Sequence, residues 1–412
     1  MASWGGAGHL GPTLCAAGQL RRHGHSVRFI SRPDAQLEVE KQGYGFVAWQ
    51  RTPRFSPIST AQAGLRYAYD HLLFGPAAAR AADVREELER TSTDVLLSDT
   101  ALFGSTLAAE AAGIPCALLS PTISLRPLSG VPPLGSHMPA PRTRQDREIV
   151  AAATNEYLAV MNEWLPMLNE ARASQGLDPV HHVLALFDRA ERLLIAMSEA
   201  LDFAADHLPP NVRYIGPLLD DSDWSKAWRA PWRSGTGRPR VLISFSTTDQ
   251  CQADALQRAI NAVEHAGMDG VATVGPAMDA ATLDAPSCVT LLPSAPHGAV
   301  MKEVSLVVTH GGHGTVSRAL YNGLPILVMP MGRDQHDMAL RVEAHGAGLI
   351  LAPESTEVEI AAALARLAKE PQFAVAARRL REAIALEVKA ERLVSEIERI
   401  IPGRTGVSSP LG

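Results

Sequence analysis

At 412 residues the chain exceeds what one hydrophobic core usually supports, so two domains of roughly 200 residues are expected. Forty-six per cent apolar residues, a mean hydropathy near zero and a net charge of −6 describe a soluble globular protein, and the scattered Lys and Arg give nucleic acid no electrostatic footprint. No run of 18 apolar residues predicts a membrane span, no basic-then-apolar leader opens the chain, and Cys15, Cys116, Cys251 and Cys288 are isolated, as suits a reducing cytoplasm.

Met1 to Trp4 read as the stub of a first strand. A buried parallel strand usually has about five or six residues, so a start a few residues upstream is expected. Gly5-Gly6-Ala7-Gly8-His9 reads as a glycine-rich turn into a helix from about Pro12 to Arg22, where proline at the helix start costs no hydrogen bond. Val27 to Ile30 is the next strand, residues 34–42 a helix and Phe46 to Trp49 a third strand. An amphipathic helix near 77–90, the strand Val95 to Ser98, a helix at 103–112 and the strand Pro115 to Leu119 continue the alternation. Such alternation predicts an α/β fold with a parallel sheet wrapped on both faces. Residues 121–145, with six prolines, predict a long loop suited to lining a pocket. One helical stretch then runs from Asp146 to Ser174, and a strand lies near Leu193 to Met197.

The composition shifts between Gly216 and Pro239, and the second half opens on the strand Val241 to Phe245. A helix to about Gly267 and strands at 271–274 and 289–292 lead to the most informative stretch, SLVVTHGGHGTVSRALYNGLPILVMPMGRDQ over 305–335. It reads as strand, glycine-rich turn His310 to Gly314, helix from Val316, and strand Ile326 to Met329. Helices at about 356–369 and 373–400 close the chain, the last long enough to reach back to the first half. The expected layout is a first domain over 1–218, a linker over 219–239, a second domain over 240–372, and a returning helix and tail over 373–412.

Ligands of open parallel sheets sit beyond the carboxyl ends of the strands, and a helix amino terminus offers free N–H groups to an anion. The turn His310–Thr315 therefore reads as a diphosphate cradle, with His310 and Thr315 adding side-chain hydrogen bonds and Asp334-Gln335 following as a hydroxyl-reading pair, or else as a helix N-cap and its neighbour. His9 and Asp99 both fall at the rim of the first domain. His9 alone fits a turn histidine and Asp99 alone a cap of the 103–112 helix; together they fit a base and the acid that orients it. His310, His313 and His336 lack the spacing and carboxylate or Cys partners of a zinc site, so no metal is expected.

Three segments in this order carry a resemblance: Gly5-Gly6-Ala7-Gly8-His9-Leu10-Gly11-Pro12 as a GGxGHxxP motif, His310 to Thr315 as HGGxGT, and Asp334-Gln335. With them the chain resembles, over nearly its full length, the GT-B glycosyltransferases of the UDP-glycosyltransferase superfamily, in their actinobacterial natural-product (macrolide and polyketide) branch. The resemblance implies two Rossmann-like domains facing across a cleft, the first binding an acceptor and the second a UDP- or TDP-sugar. It implies inverting transfer of a hexose or deoxyhexose, chiefly to oxygen, without metal or other cofactor. The acceptor would be a small hydrophobic, aromatic or polyketide-like molecule, and the protein a monomer or homodimer. His9 would be the base, Asp99 its orienting acid, Ser246 and Thr247 further phosphate contacts, and Asp334 and Gln335 the sugar contacts. Many relatives place Trp-x-Pro-Gln against the nucleoside where this chain has Ser294-Ala295-Pro296-His297, which leaves Ala295 and His297 as donor-side residues. Relatives with a ribose-binding glutamate have it where Arg318 stands, and many have Asn at Met338. Phe55, Tyr67, Tyr69, Phe74, Phe103, Leu125 and Met138 fall in segments where an apolar acceptor would lie, although each also suits ordinary core packing. A non-catalytic nucleotide-sugar-binding protein and a sugar-nucleotide epimerase on the same fold are the competing readings. The first would not need His9, and the second would need extra carboxylates in the cleft.

Overall fold

Runs of Leu, Ile and Val that face apolar helices on both sides pair here into two parallel sheets, each wrapped by helices. The computed structural model describes residues 1–55, 64–219, 228–232, 237–245, 250–275 and 278–401. The first sheet holds β1 (Arg28–Ser31), β2 (Gly45–Ala48), β3 (Leu96–Asp99), β4 (Cys116–Ser120), β5 (Arg192–Ile195) and β6 (Val212–Tyr214). Ala2 bridges in parallel to Ile30 and to Ser98, so the stub at Met1 to Trp4 sits between β1 and β3 and the order is β2-β1-Ala2-β3-β4-β5-β6. The second sheet holds β7 (Arg240–Ser244), β8 (Asp269–Thr273), β9 (Val289–Leu292), β10 (Leu306–Thr309), β11 (Ile326–Val328) and β12 (Gly348–Ile350), in the order β12-β11-β10-β7-β8-β9. Every pairing in both sheets is parallel. Each order reverses direction once, beside Ala2 in the first sheet and between β7 and β10 in the second. Such switch points open a crevice beyond the strand ends.

Successive side chains of a strand alternate between faces, and the cores follow that alternation. Leu96, Leu118, Leu193 and Ile195 face one side of the first sheet, in a cluster that also takes in Val307, Ile326 and Val328 of the second. Leu97, Ala117, Leu119 and Leu194 face the other side, where Leu393, Val394 and Ile397 of the helix Arg392–Ile400 cover them. The chain therefore does return to its first half. The return is made by two helices, Pro371–Lys389 and Arg392–Ile400, and not by one continuous helix to 400. Glu391 takes a left-handed φ of 41° between them, and its carboxylate accepts hydrogen bonds from Arg22 at 2.6 Å and pairs with His23 at 3.1 Å.

The helical stretch expected from Asp146 to Ser174 is likewise two helices, Arg144–Asn162 and Leu165–Ala173. Pro166 has no N–H to give the Asn162 carbonyl, so the ladder stops there. Before these helices, the loop that begins at Pro121 reaches across to the second half. Gly135 and His137 donate backbone N–H groups to Asp337 at 2.6 and 3.0 Å. Nearby, Arg341 donates to Asp202 at 2.7 Å, with both side chains buried. Of the expected linker, residues 220–227 and 233–236 lie outside the described residues. Within it, Trp228 and Trp232 donate their indole N–H groups to the two oxygens of Glu303 at 2.7 and 2.6 Å.

Candidate active site

The turn after the first strand is shorter than expected. Gly5, with φ 76°, makes it, Gly6 caps the helix Ala7–Arg22, and His9 stands in that helix's first turn instead of on a loop. The helix begins early because the Gly6 carbonyl already accepts the Leu10 N–H at 3.0 Å. Pro12 lies inside the helix, where it costs one ladder bond. His9 Nδ1 lies 2.5 Å from Asp99 Oδ2. Asp99 closes β3 and is 3% exposed, and its other oxygen accepts the Ala101 N–H at 2.9 Å, so both oxygens are fixed. The carboxylate does not cap the helix Phe103–Ala112, whose N-cap position is Leu102. Burial lowers the His9 pKa, but the charge and hydrogen bond of Asp99 outweigh it and hold the imidazole above its ordinary 6.5. His9 Nε2 has no hydrogen bond among the described residues.

In the second half, β10 ends at Thr309 and His310 begins the turn. Gly311 has φ 97°, and a Cβ there would stand 2.9 Å from both the Gln335 carbonyl and Val328 Cγ1, so only glycine fits. The helix begins at His313, earlier than the expected Val316, with Gly312 at the N-cap position and no side-chain cap. His313, Gly314 and Thr315 thus form its first turn, where the dipole favours an anion; the Thr315 N–H donates to the Gly312 carbonyl at 3.0 Å, and the His313 and Gly314 N–H groups have no intrahelical partner. Gly314 is exposed, and a Cβ on it would meet nothing, which leaves the space over the helix end open. Burial pushes the pKa of His310 and of His313 down to about 4, against the opposing pull of Asp334. His313 Nε2 lies 3.1 Å from Ser317 Oγ of its own helix.

Asp334 occupies the N-cap position of the helix Gln335–Ala344 but sends its carboxylate across the cleft, where it accepts the Thr122 hydroxyl at 2.7 Å. The charges of Asp334 and Arg333 act on both His9 and His310, so the two rims share one cleft.

Residues 258–400 match the family described as Erythromycin biosynthesis protein CIII-like, C-terminal domain. The chain is 27% identical over 416 residues to the 4'-demethylrebeccamycin synthase of Lentzea aerocolonigenes, covering 96% of this chain and 97% of that one. It superposes on the glycotransferase of kitacinnamycin with a TM-score of 0.75 at 23% identity, over 96% of each chain. On the glycosyltransferase VinC in complex with dTDP the TM-score is 0.67 at 21% identity, over 97% of this chain and 99% of that one. The chain is a GT-B glycosyltransferase.

Within this glycosyltransferase the other expected donor-side residues divide. Ser246 and Thr247 lie outside the described residues. His297 opens the short helix His297–Val300, with Nε2 3.3 Å from Thr273 Oγ1 at the end of β8, and Ala295 is half-buried just before it. Gln335 departs from expectation. It is 2% exposed, its Oε1 accepts the Met331 and Gly332 N–H groups at 2.8 and 3.1 Å, and its amide donates to Gln250 at 2.8 Å. Its polar atoms brace the turn, which leaves Asp334 as the member of the pair that faces the cleft.

The acceptor-side expectations divide in the same way. Phe74 and Phe103 are fully buried and pack edge-on with centroids 4.9 Å apart, and Tyr69 is buried beside Phe74, so these three are core and not pocket lining. Phe55 and Tyr67 are half-buried, 5.7 Å apart, and continue a row of rings from His9 through Trp4, which lies 4.9 Å from His9 and 5.7 Å from Phe55. Leu125 and Met138 are half-buried on the crossing loop. Sequence reasoning missed Trp4 and Thr122; an aromatic residue directly before a Gly-Gly turn was the available signal for the first.

Proposed function

We propose that the protein is an inverting, metal-independent glycosyltransferase that moves a hexose or deoxyhexose from a UDP- or TDP-sugar to a hydroxyl of a small aromatic or polyketide-like natural product. The observation that carries this reading is the 2.5 Å contact of His9 Nδ1 with Asp99, on a rim that faces His310 and Asp334. Nδ1 is committed to Asp99, so Nε2 takes the acceptor proton. The freed oxygen attacks the anomeric carbon from the face opposite the diphosphate, the bond to the diphosphate oxygen breaks with its electron pair, and the configuration inverts. Asp99 stabilises the imidazolium, and general-base help of this kind is worth about 10² to 10⁴ in rate. The departing charge meets the N–H groups at Gly312 to Gly314, the Thr315 hydroxyl and a neutral His310, which makes a bound metal unnecessary in this reading. The match to a chain solved with dTDP supports a thymidine or uridine diphosphate donor, and the name of the rebeccamycin relative supports a natural-product acceptor. The row Trp4, Phe55, Tyr67 favours an aromatic one.

The test is turnover of UDP- and TDP-sugars with aromatic acceptors in EDTA, for the wild type and His9→Ala, with the anomeric configuration of the product read by NMR. The expected result is EDTA-resistant transfer with inversion, which His9→Ala abolishes while UDP or TDP binding persists. Unchanged turnover in His9→Ala sinks the base assignment.

A further inference from the structure

Gly6 has a φ of −71° and a ψ of 155°, which any residue adopts, so backbone freedom does not explain its glycine. The explanation is Trp4. A Cβ on Gly6 would lie 2.4 Å from Trp4 Cζ3 and 2.6 Å from Cε3, because the indole folds back over Gly6. Gly5, with its left-handed φ, makes that reversal. The same indole meets the His9 ring at 4.9 Å with the two planes at 90°, and Phe55 packs on it at 5.7 Å. His9 is thus held at two places, by Asp99 at Nδ1 and by an aromatic edge contact at the ring. Ring rotation about the Nδ1 contact is the motion that one hydrogen bond leaves open, and the indole blocks it.

Resting on the base assignment above, we propose that Trp4 is a positioning residue for His9, and that Gly6 is glycine in order to admit the indole that aims His9 Nε2 at the acceptor hydroxyl. A base displaced by about 1 Å costs on the order of 10²-fold in rate. Gly6→Ala should therefore reproduce Trp4→Ala although it removes no aromatic group, and Trp4→Phe should keep most of the function.

Two readouts test this. The first is kcat and the acceptor KM for Trp4→Ala, Trp4→Phe and Gly6→Ala, with UDP and TDP affinity measured alongside. The second is the His9 ring-proton NMR signal and its titration in the same proteins without substrate, assigned by its loss in His9→Gln. We expect kcat about tenfold to hundredfold lower in Trp4→Ala and Gly6→Ala at unchanged nucleotide affinity, near-wild-type kcat in Trp4→Phe, and a His9 signal that loses its ring-current shift in both damaging variants. A kcat within twofold of wild type in both, or an unmoved His9 signal, overturns the proposal. A His9 signal that responds in a protein without transferase activity supports the contact and overturns the base assignment instead.

Discussion

Buried without a partner, an imidazole titrates below 6.5, yet His9 is held above that value because Asp99 lies 2.5 Å from Nδ1. A general base works in its neutral form, so kcat/KM should rise with pH through a midpoint above 6.5. Asp99→Asn leaves the burial and removes the charge, so that midpoint should drop below 6.5 while the plateau falls about 10²-fold or more. A pH–rate profile whose midpoint stays in place would refute the coupling. The same raised pKa adds stability that is complete below 6.5 and fades as pH rises through the folded value. The rim positions of His9, Asp99, His310 and Asp334 were legible because each closes or follows a strand in the alternation. Trp4 was not, because its role arises only when the Gly5 reversal folds the indole back. Nor was the inward turn of Gln335, which depends on Gln250, 85 residues away.

Helices whose apolar residues recur at helical spacing were readable in the sequence, even where charged residues share the buried face. The helices Ala77–Arg90 and Phe103–Ala112 lie where periodicity puts them, and Gly113, with φ 65°, ends the second. Of the helix Gln335–Ala344 only the start was legible, in the N-cap reading of Asp334; its buried Gln335, Asp337 and Arg341 find partners in the first half of the chain and in the turn before the helix, which carry no local signal. The break at Glu391 was missed because its left-handed φ of 41° falls on a residue that is neither glycine nor asparagine and so carries no helix-ending signal. The helix beyond that break is held chiefly by Leu393, Val394 and Ile397 against the back of the first sheet. Ile397 is 1% exposed, so Ile397→Ala should cost about 3 kcal/mol in urea unfolding. A loss below about 1 kcal/mol would mean that the ion pairs of this helix, among them the part-buried contact of Glu396 with Arg192, and not its apolar face, hold it.

At the scale of the molecule, two switch points face one cleft. His9 and Asp99 flank the reversal beside Ala2, and His310 follows β10 at the reversal beside β7. Alternation of strands and helices made this architecture legible, whereas the bonds that tie the halves, Arg341 to Asp202 and Thr122 to Asp334, span 139 and 212 residues and carry no local signal. The burial of His310 leaves a mark on stability. His310 stays neutral in the fold down to about pH 4, while an unfolded histidine takes its proton near 6.5. Between those values the unfolded chain binds more protons, so the contribution of His310 is complete above 6.5 and is lost as pH falls toward 4. The loss is on the order of 3 kcal/mol, at 1.36 kcal/mol per unit of pKa. His310→Asn removes the titration and keeps a polar side chain of similar size. Its unfolding free energy, followed by urea titration at steps from pH 7 to 4, should fall less steeply than that of the wild type, and the two curves should converge toward pH 4. UDP or TDP should narrow the wild-type loss, because a bound diphosphate favours the imidazolium that burial resists. Parallel curves for the two proteins without nucleotide would show that His310 is free to protonate in the fold, and would remove the neutral hydrogen-bond donor from the proposed diphosphate site.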